Sequence, residues 1–191
     1  KGPGAASMVR CLPSGSSFPV GVTLNTYVVT DASGNSAACS FSVTITDSQI
    51  PVISCASSIS QANDAGLCGA VVTYNAISGT DNCTGSTTAQ TAGFASAALF
   101  PVGTTVNTYK VTDASGNTAI CSFNITVTDA QAPVISCGSN IVKGNDASQC
   151  TAVVTFTAAS ATDNCSGTTT VQTAGFGSGS IFPVGTTLNN F

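Results

Sequence analysis

The sequence contains no histidine, no tryptophan and no glutamate, and only 6% of its 191 residues are charged. Each absence closes off a class of function. Without histidine, neither a Ser-His-Asp nor a Cys-His nucleophile arrangement can be assembled. A zinc site would need cysteine alone or cysteine with aspartate, and no CxxC spacing occurs. The cations are Lys1, Arg10, Lys110 and Lys143, too few and too scattered to neutralise a run of phosphates, so nucleic acid is excluded as a partner. No glycine-rich loop has the spacing of a phosphate cradle. No apolar run approaches the roughly 20 residues that span a bilayer. These absences argue against an enzyme, a bound cofactor and a membrane span.

What remains is polar without being charged. Serine and threonine make up more than a quarter of the chain, all eight acids are aspartate, and the net charge is −4. Nine cysteines accompany this low charge, which points to an oxidising compartment where disulfides persist. No signal peptide is visible and the chain begins at Lys1, so it reads as a mature product or a piece of something longer.

The dominant feature is a repeat with a constant offset. Pro51 recurs at Pro133, Cys55 at Cys137, Cys68 at Cys150 and Cys83 at Cys165, each 82 residues on. Cys121 matches Cys39, and Phe18, Phe100 and Phe182 share one register. This gives the back part of a repeat over 1–48, a complete repeat over 49–130 and the front part of a third over 131–191. Residues 1–10, "KGPGAASMVR", do not follow the repeat and are expected to be a flexible lead.

Within the repeat the period is that of strands. In "CSFNITVT", Cys121, Phe123, Ile125 and Val127 alternate with Ser122, Asn124, Thr126 and Thr128, which predicts a strand with one buried face. Cys39, Phe41, Val43 and Ile45 repeat the pattern. Val72 and Tyr74 alternate with Val71 and Thr73, and Tyr109 shares a face with Val111. Short strands with glycine, proline, asparagine and aspartate between them predict an all-β sandwich. At 82 residues its core is small enough for disulfides to matter.

Taken together, "DAQAPVISC", "TDNC", "LFPVGTTVNTYKVTDASGN" and "CSFNITVTD" resemble the HYR (hyalin repeat) module. The resemblance covers nearly everything after residue 17. It implies immunoglobulin-like β-sandwich modules in tandem, in extracellular or cell-surface proteins linked to adhesion. Its four-cysteine form is similar to versions found in large bacterial surface proteins. Two-cysteine members keep the positions matching Cys55 and Cys121, so the resemblance implies a Cys55–Cys121 bond. That leaves Cys68 for Cys83 and, one repeat on, Cys150 for Cys165. Spacing alone allows three pairings of four cysteines.

Other motifs carry two readings each. Asp47, Asp81 and Asp113 either close turns on nearby amides or share a calcium ion at a module junction. Asn82, Asn124 and Asn164 lie in N-x-S/T triplets, candidate glycosylation sites in a eukaryotic secreted chain. Lys110 and Lys143 have Val28 and Gln61 as repeat equivalents, which favours surface lysine over an isopeptide link. Cys11 matches Gly93 and Gly175, so it belongs to no repeated pair and is either unpaired or bonded to another molecule.

The two partial repeats are complementary. The front part holds Cys137, Cys150 and Cys165 but no match for Cys121, and the back part holds that match, Cys39. Strand complementation between copies, head-to-tail, would make whole modules and bring Cys39 of one chain to Cys137 of another. The same sequence also fits a window of a covalent tandem array, since residues 9–27 and 173–191 occupy the same repeat positions. The expectation is an extracellular filament subunit, with a segment of a tandem surface adhesin as the alternative. Its partners would be copies of itself and, for the adhesin, cell-surface or matrix ligands.

Overall fold

The computed structural model describes residues 6–10 and 12–191. Cys11 lies outside the described residues. The described chain is all β: β1 (Ala6–Arg10), β2 (Gly21–Thr30), β3 (Ser36–Ile45), β4 (Val52–Ile53), β5 (Ile59–Ala62), β6 (Gly69–Val72), β7 (Gly79–Thr80), β8 (Thr87–Ala92), β9 (Ala98–Pro101), β10 (Gly103–Thr112), β11 (Thr118–Thr128), β12 (Val134–Ser136), β13 (Thr151–Val153), β14 (Ser160–Thr162) and β15 (Ile181–Pro183). Among the described residues, no helix is long and apolar enough to cross a membrane.

The chain divides into two compact units whose boundaries cut across the repeat. One holds the chain up to Cys55 with Ile77–Thr91 and Thr108–Cys121; the other holds Ala56–Ala76, Ala92–Asn107 and Ser122–Phe191. Strands β10 and β11 are the centre of a four-stranded sheet in the order β5-β11-β10-β8.

In the first unit, β2 and β3 form an antiparallel hairpin from Gly21↔Ile45 to Thr30↔Ser36. Its turn is built by Asp31, whose Oδ1 accepts the amides of Ser33 and Asn35 at 2.8 and 2.9 Å. The Asn35 amide nitrogen donates to Asp31 Oδ2 at 3.0 Å. Gly34 supplies the left-handed position, with φ of +89°. The Asp113–Asn117 turn repeats this clamp bond for bond. Strands β4 and β7 pair antiparallel, and Gly79 lies so close to Val111 that an added Cβ would fall 2.8 Å from the valine Cβ. Glycine there lets β7 cross directly over β10. Cys55 and Cys121 are disulfide-bonded in this unit, with Cα atoms 5.6 Å apart.

The lead 1–10 differs from the expectation of flexibility, as far as it is described. Ala6–Arg10 pairs antiparallel with β2, Ala6 facing Val29 and Met8 facing Tyr27. These residues stand one repeat before β8, which borders β10 in the same way. Backbone hydrogen bonds need no particular side chains, so a segment without the repeat's sequence fills the repeat's edge position.

In the second unit, β6 pairs antiparallel with β9, and β5 pairs parallel with β11. Val72, Phe100, Ile125 and Val127 are fully buried. Tyr74 meets Phe123 edge-on with ring centroids 5.1 Å apart, and Phe94 meets Phe100 in the same manner at 5.4 Å. These contacts close the core of an immunoglobulin-like sandwich. Asn107 is buried among them; its Oδ1 accepts the Phe94 amide at 3.0 Å and its Nδ2 donates to the Phe94 carbonyl at 3.2 Å.

The third repeat keeps only the strands whose partners it contains. The pair β12-β14 matches β4-β7, and β13-β15 matches β6-β9. Residues 141–144, equivalent to β5, form no strand. In the complete repeat β5 is held by the edge of β11, and among the described residues no strand pairs with residues 141–144 in that way. Val142 is accordingly fully exposed.

Candidate functional site: the cysteine and aspartate joint

The chemistry-bearing side chains gather on two loop types. The first begins at Asp64. Its amide donates to the Gly69 carbonyl at 2.8 Å, and its Oδ2 accepts the Val71 amide at 2.8 Å. The Asn63 amide nitrogen donates to the Leu67 carbonyl at 2.9 Å. Gly66 takes the left-handed position, with φ of +76°. This tight loop ends at Cys68.

The second loop type is Asp-Asn-Cys. Asp163 Oδ1 accepts the Cys165 amide at 2.8 Å, a turn closed by its own aspartate. The Asn164 amide nitrogen reaches across to the Leu67 carbonyl at 2.7 Å. Gly66 donates its amide to Gln131 Oε1 at 2.8 Å, and Ala130 donates to Asn63 Oδ1 at 2.9 Å. Cys68 and Cys165 are bonded at the centre of this network, with Cα atoms 4.8 Å apart and a sequence separation of 97. The separation fits the range a disulfide requires, about 4.4–6.8 Å.

This corrects the within-repeat pairings. Cys68 is bonded to Cys165 and not to Cys83, and Cys165 is therefore not bonded to Cys150. The reason is packing. The Asp64 loop meets the Asp-Asn-Cys loop of the following repeat, and Cys68 and Cys83 belong to different compact units. Cys39, Cys83, Cys137 and Cys150 are free thiols; Cys39, Cys137 and Cys150 are exposed and Cys83 is half-buried. Cys39 and Cys137, expected to bond between copies, are not bonded to each other within the chain.

Cys83 stands where Cys165 stands one repeat on. Its amide donates to Asp81 Oδ2 at 2.9 Å. Its thiol is pushed up from the ordinary cysteine value, first by a hydrogen bond to Asp47, then by burial and by the charges of Asp47, Asp81 and Asp113. The thiolate would face three carboxylates, so the neutral thiol is favoured.

Of the three aspartates considered for calcium, the structure brings two together. Ligand atoms of Asp47, Asp81 and Cys83 lie within 4.8 Å of one another, and those of Asp129, Asp163 and Cys165 do likewise. Asp113 is not in the cluster, because its two oxygens are occupied by Ser115 and Asn117 of its own turn. Burial pushes the Asp113 carboxyl up, but the hydrogen bonds from Asn117, Ser115 and Gly116 outweigh it and hold the group below 3.8. In the second cluster Cys165 is already a disulfide sulfur, leaving Asp129, Asp163 Oδ2 and Asn164 Oδ1 as the oxygens that could face a cation. Each cluster alone supplies fewer than the six to eight oxygens calcium takes.

The glycosylation candidates separate by exposure. Asn82 and Asn124 are exposed, whereas Asn164 is half-buried and its amide nitrogen is engaged at Leu67. Lys143 pairs with Asp146 at 3.1 Å, an exposed ion pair. Sequence reasoning missed Asn107, for which the signal was the recurrence of asparagine at 25, 107 and 189. Asn25 Oδ1 accepts the Leu12 amide at 3.2 Å, and Asn189 Oδ1 accepts that of Phe176 at 2.9 Å.

The HYR domain model matches residues 2–45, 46–127 and 128–189. The chain is 35% identical over 191 residues to hyalin of Lytechinus variegatus, covering 96% of this chain and 36% of that protein. It is 40% identical over 152 residues to hyalin of Strongylocentrotus purpuratus, covering 73% of this chain and 12% of that protein. A rat sushi, von Willebrand factor type A, EGF and pentraxin domain-containing protein is 32% identical over 116 residues, 58% of this chain and 3% of the relative. The chain thus spans about a third or less of the length of these relatives.

Proposed function

The chain belongs to the HYR domain family, and on that premise we propose that it is an extracellular structural protein whose modules join head-to-tail into a filament. One observation carries the reading. Phe41 is 51% exposed, whereas Phe123, its equivalent in the complete repeat, is 4% exposed. Val29, Phe41 and Ile45 are exposed where Val111, Phe123 and Val127 are buried. In the complete repeat that face is covered by the front half of the module, as Tyr74 covers Phe123. The front half in residues 131–191 has the converse need: Val154 is half-buried where Val72 is fully buried.

Docking the 21–45 hairpin of one copy onto the front half of another would cover both apolar faces and satisfy edge amides. The contact is heterologous and grows without closing unless its rotation completes a ring. Val153 does not serve that interface: it is exposed, as is Val71 in the complete repeat. The two disulfides support an oxidising, extracellular location. The lack of histidine and glutamate supports a non-enzymatic role.

A second reading, a segment of a long tandem surface adhesin, is favoured by the small share of the hyalins that the chain spans. Deleting residues 1–47 separates the two. Complementation requires that the truncated chain fail to extend fibres, with Cys39–Cys137 links present in fibres of the full chain. Fibres that form normally from the truncated chain would overturn it in favour of the array.

A further inference from the structure

The Cys68–Cys165 bond joins two successive repeats, and the 82-residue offset makes it a rule for the whole chain. Moved back one repeat, the partner of Cys83 falls 97 residues before it; moved forward, the partner of Cys150 falls 97 residues after it. We propose that Cys83 and Cys150 are the two open halves of this same joint, each taking a disulfide to a neighbouring HYR module.

Both halves are already folded for it. In the loop ending at Cys150, Asp146 donates to the Thr151 carbonyl at 2.8 Å and accepts the Val153 amide on Oδ2 at 2.9 Å. The Asn145 amide nitrogen donates to the Gln149 carbonyl at 2.6 Å. These are the bonds of the Asp64 loop, one repeat on. Ser148 holds φ of +60° at the place of Gly66, so the loop keeps its shape even where a serine must adopt a left-handed backbone. On the other half, the Asp81–Cys83 turn has the same closing bond as Asp163–Cys165. By the same offset, Asn82 is set to donate to the Gln149 carbonyl of the neighbour, as Asn164 does to Leu67. Gln49 is likewise set to accept from Ser148, as Gln131 does from Gly66.

If the neighbour is a second copy, the inference rests on the filament reading and deepens it. Pairing Cys39 with the Cys137 of another copy displaces that copy by two repeats, since 137 + 66 = 203 and 203 − 39 = 164. Pairing Cys83 with Cys150 requires the same displacement, since 150 + 97 = 247 and 247 − 83 = 164. One docking geometry therefore satisfies both bonds. If the chain continues, the neighbour is its own next repeat.

Bond formation needs an oxidant, here a disulfide-bearing thiol carrier. Exposed Cys150 attacks a carrier sulfur, forming a mixed disulfide and releasing one carrier thiol. Cys83 then attacks the Cys150 sulfur and releases the second carrier thiol. Two cysteine thiols lose two protons and two electrons, and one carrier disulfide becomes two thiols. The thiol of Cys83, held neutral beside Asp47, must lose its proton before it attacks, which makes the second step the slower one.

The test uses the full chain with Cys11, Cys39 and Cys137 replaced by serine, which leaves Cys83 and Cys150 as the cysteines outside the two bonds and removes the bond of the filament reading. Oxidised glutathione is the probe. Cleavage before aspartate leaves one cysteine in each peptide, so every bond is read from a pair of masses. Covalent oligomers joined through peptides 81–112 and 146–162 are the expected result, with growth beyond a dimer abolished by Cys83→Ser or Cys150→Ser. A chain that stays monomeric, or peptide 64–80 linked to 81–112, overturns the inference. Absence of Cys39–Cys137 links in the unsubstituted chain, with Cys83–Cys150 present, would count against complementation alone. In material from its source, Cys150 carries either peptide 81–112, marking a second copy, or a peptide of another repeat, marking a continued chain. A link from 146–162 to 163–191 overturns the inference for both.

Discussion

Replacing Asn107 with alanine removes a side chain that is fully buried and bonds both backbone groups of Phe94. Each hydrogen bond contributes about 0.5–1.5 kcal/mol net, and a polar group left without a partner adds about 1–3 kcal/mol when water cannot reach it. Phe94 is 44% exposed, so water relieves part of that penalty. The Phe94 carbonyl also keeps the Tyr74 hydroxyl at 2.6 Å. The expected loss is therefore about 2–4 kcal/mol. With a urea slope of about 1–3 kcal/mol per molar, the midpoint should fall by about 1–2 M. Tyr74 reports it directly, since it packs on Phe123 and bonds Phe94. Tyr27 and Tyr109 can be replaced by phenylalanine to isolate its fluorescence, the replacement the chain itself makes at Phe191. A midpoint shift below about 0.3 M would refute the claim that Asn107 pins the 93–94 loop to the core.

Three further outcomes follow from the same structure. Asp113 has a depressed folded-state pKa, so its contribution is present above the unfolded value near 3.8 and is lost as pH falls through the folded one. Thermal melts should lose stability below about pH 4, and Asp113→Asn should flatten that dependence while lowering stability at pH 7. Gly79→Ala drives a methyl into Val111 and should cost about 1–3 kcal/mol, read by denaturant titration. Phe123→Ala should cost about 3–5 kcal/mol in the dilute chain, whereas Phe41→Ala should leave its denaturation midpoint nearly unchanged and weaken only assembled fibres.

The complete repeat was legible because its signals are local. Alternation from Cys121 to Val127 marks a strand with one buried face, and Asp113 to Asn117 marks its turn. Both follow from side chains a few residues apart. The lead was not read as a strand because the backbone pairing that joins β1 to β2 leaves no trace in the repeat's sequence. The disulfide error has a different origin. A perfect 82-residue period places an identical Asp-Asn-Cys loop 15 residues after Cys68 and again 97 residues after it. Spacing cannot tell a bond that closes a repeat from one that joins two; only the packing of the 63–68 loop against residues 129–165 decides it.

The two bonds present close long loops, of 66 and 97 residues, worth roughly 4–5 kcal/mol each in the chain-entropy model. Their connectivity is the central claim, because one bond holds a module and the other holds modules together. A peptide map of the unreduced full chain, cleaved before each aspartate, tests it most directly. The account predicts 47–63 linked to 113–128 and 64–80 linked to 163–191. Peptide 64–80 linked to 81–112 would contradict it, returning both bonds to a single repeat and leaving the joint without its covalent tie.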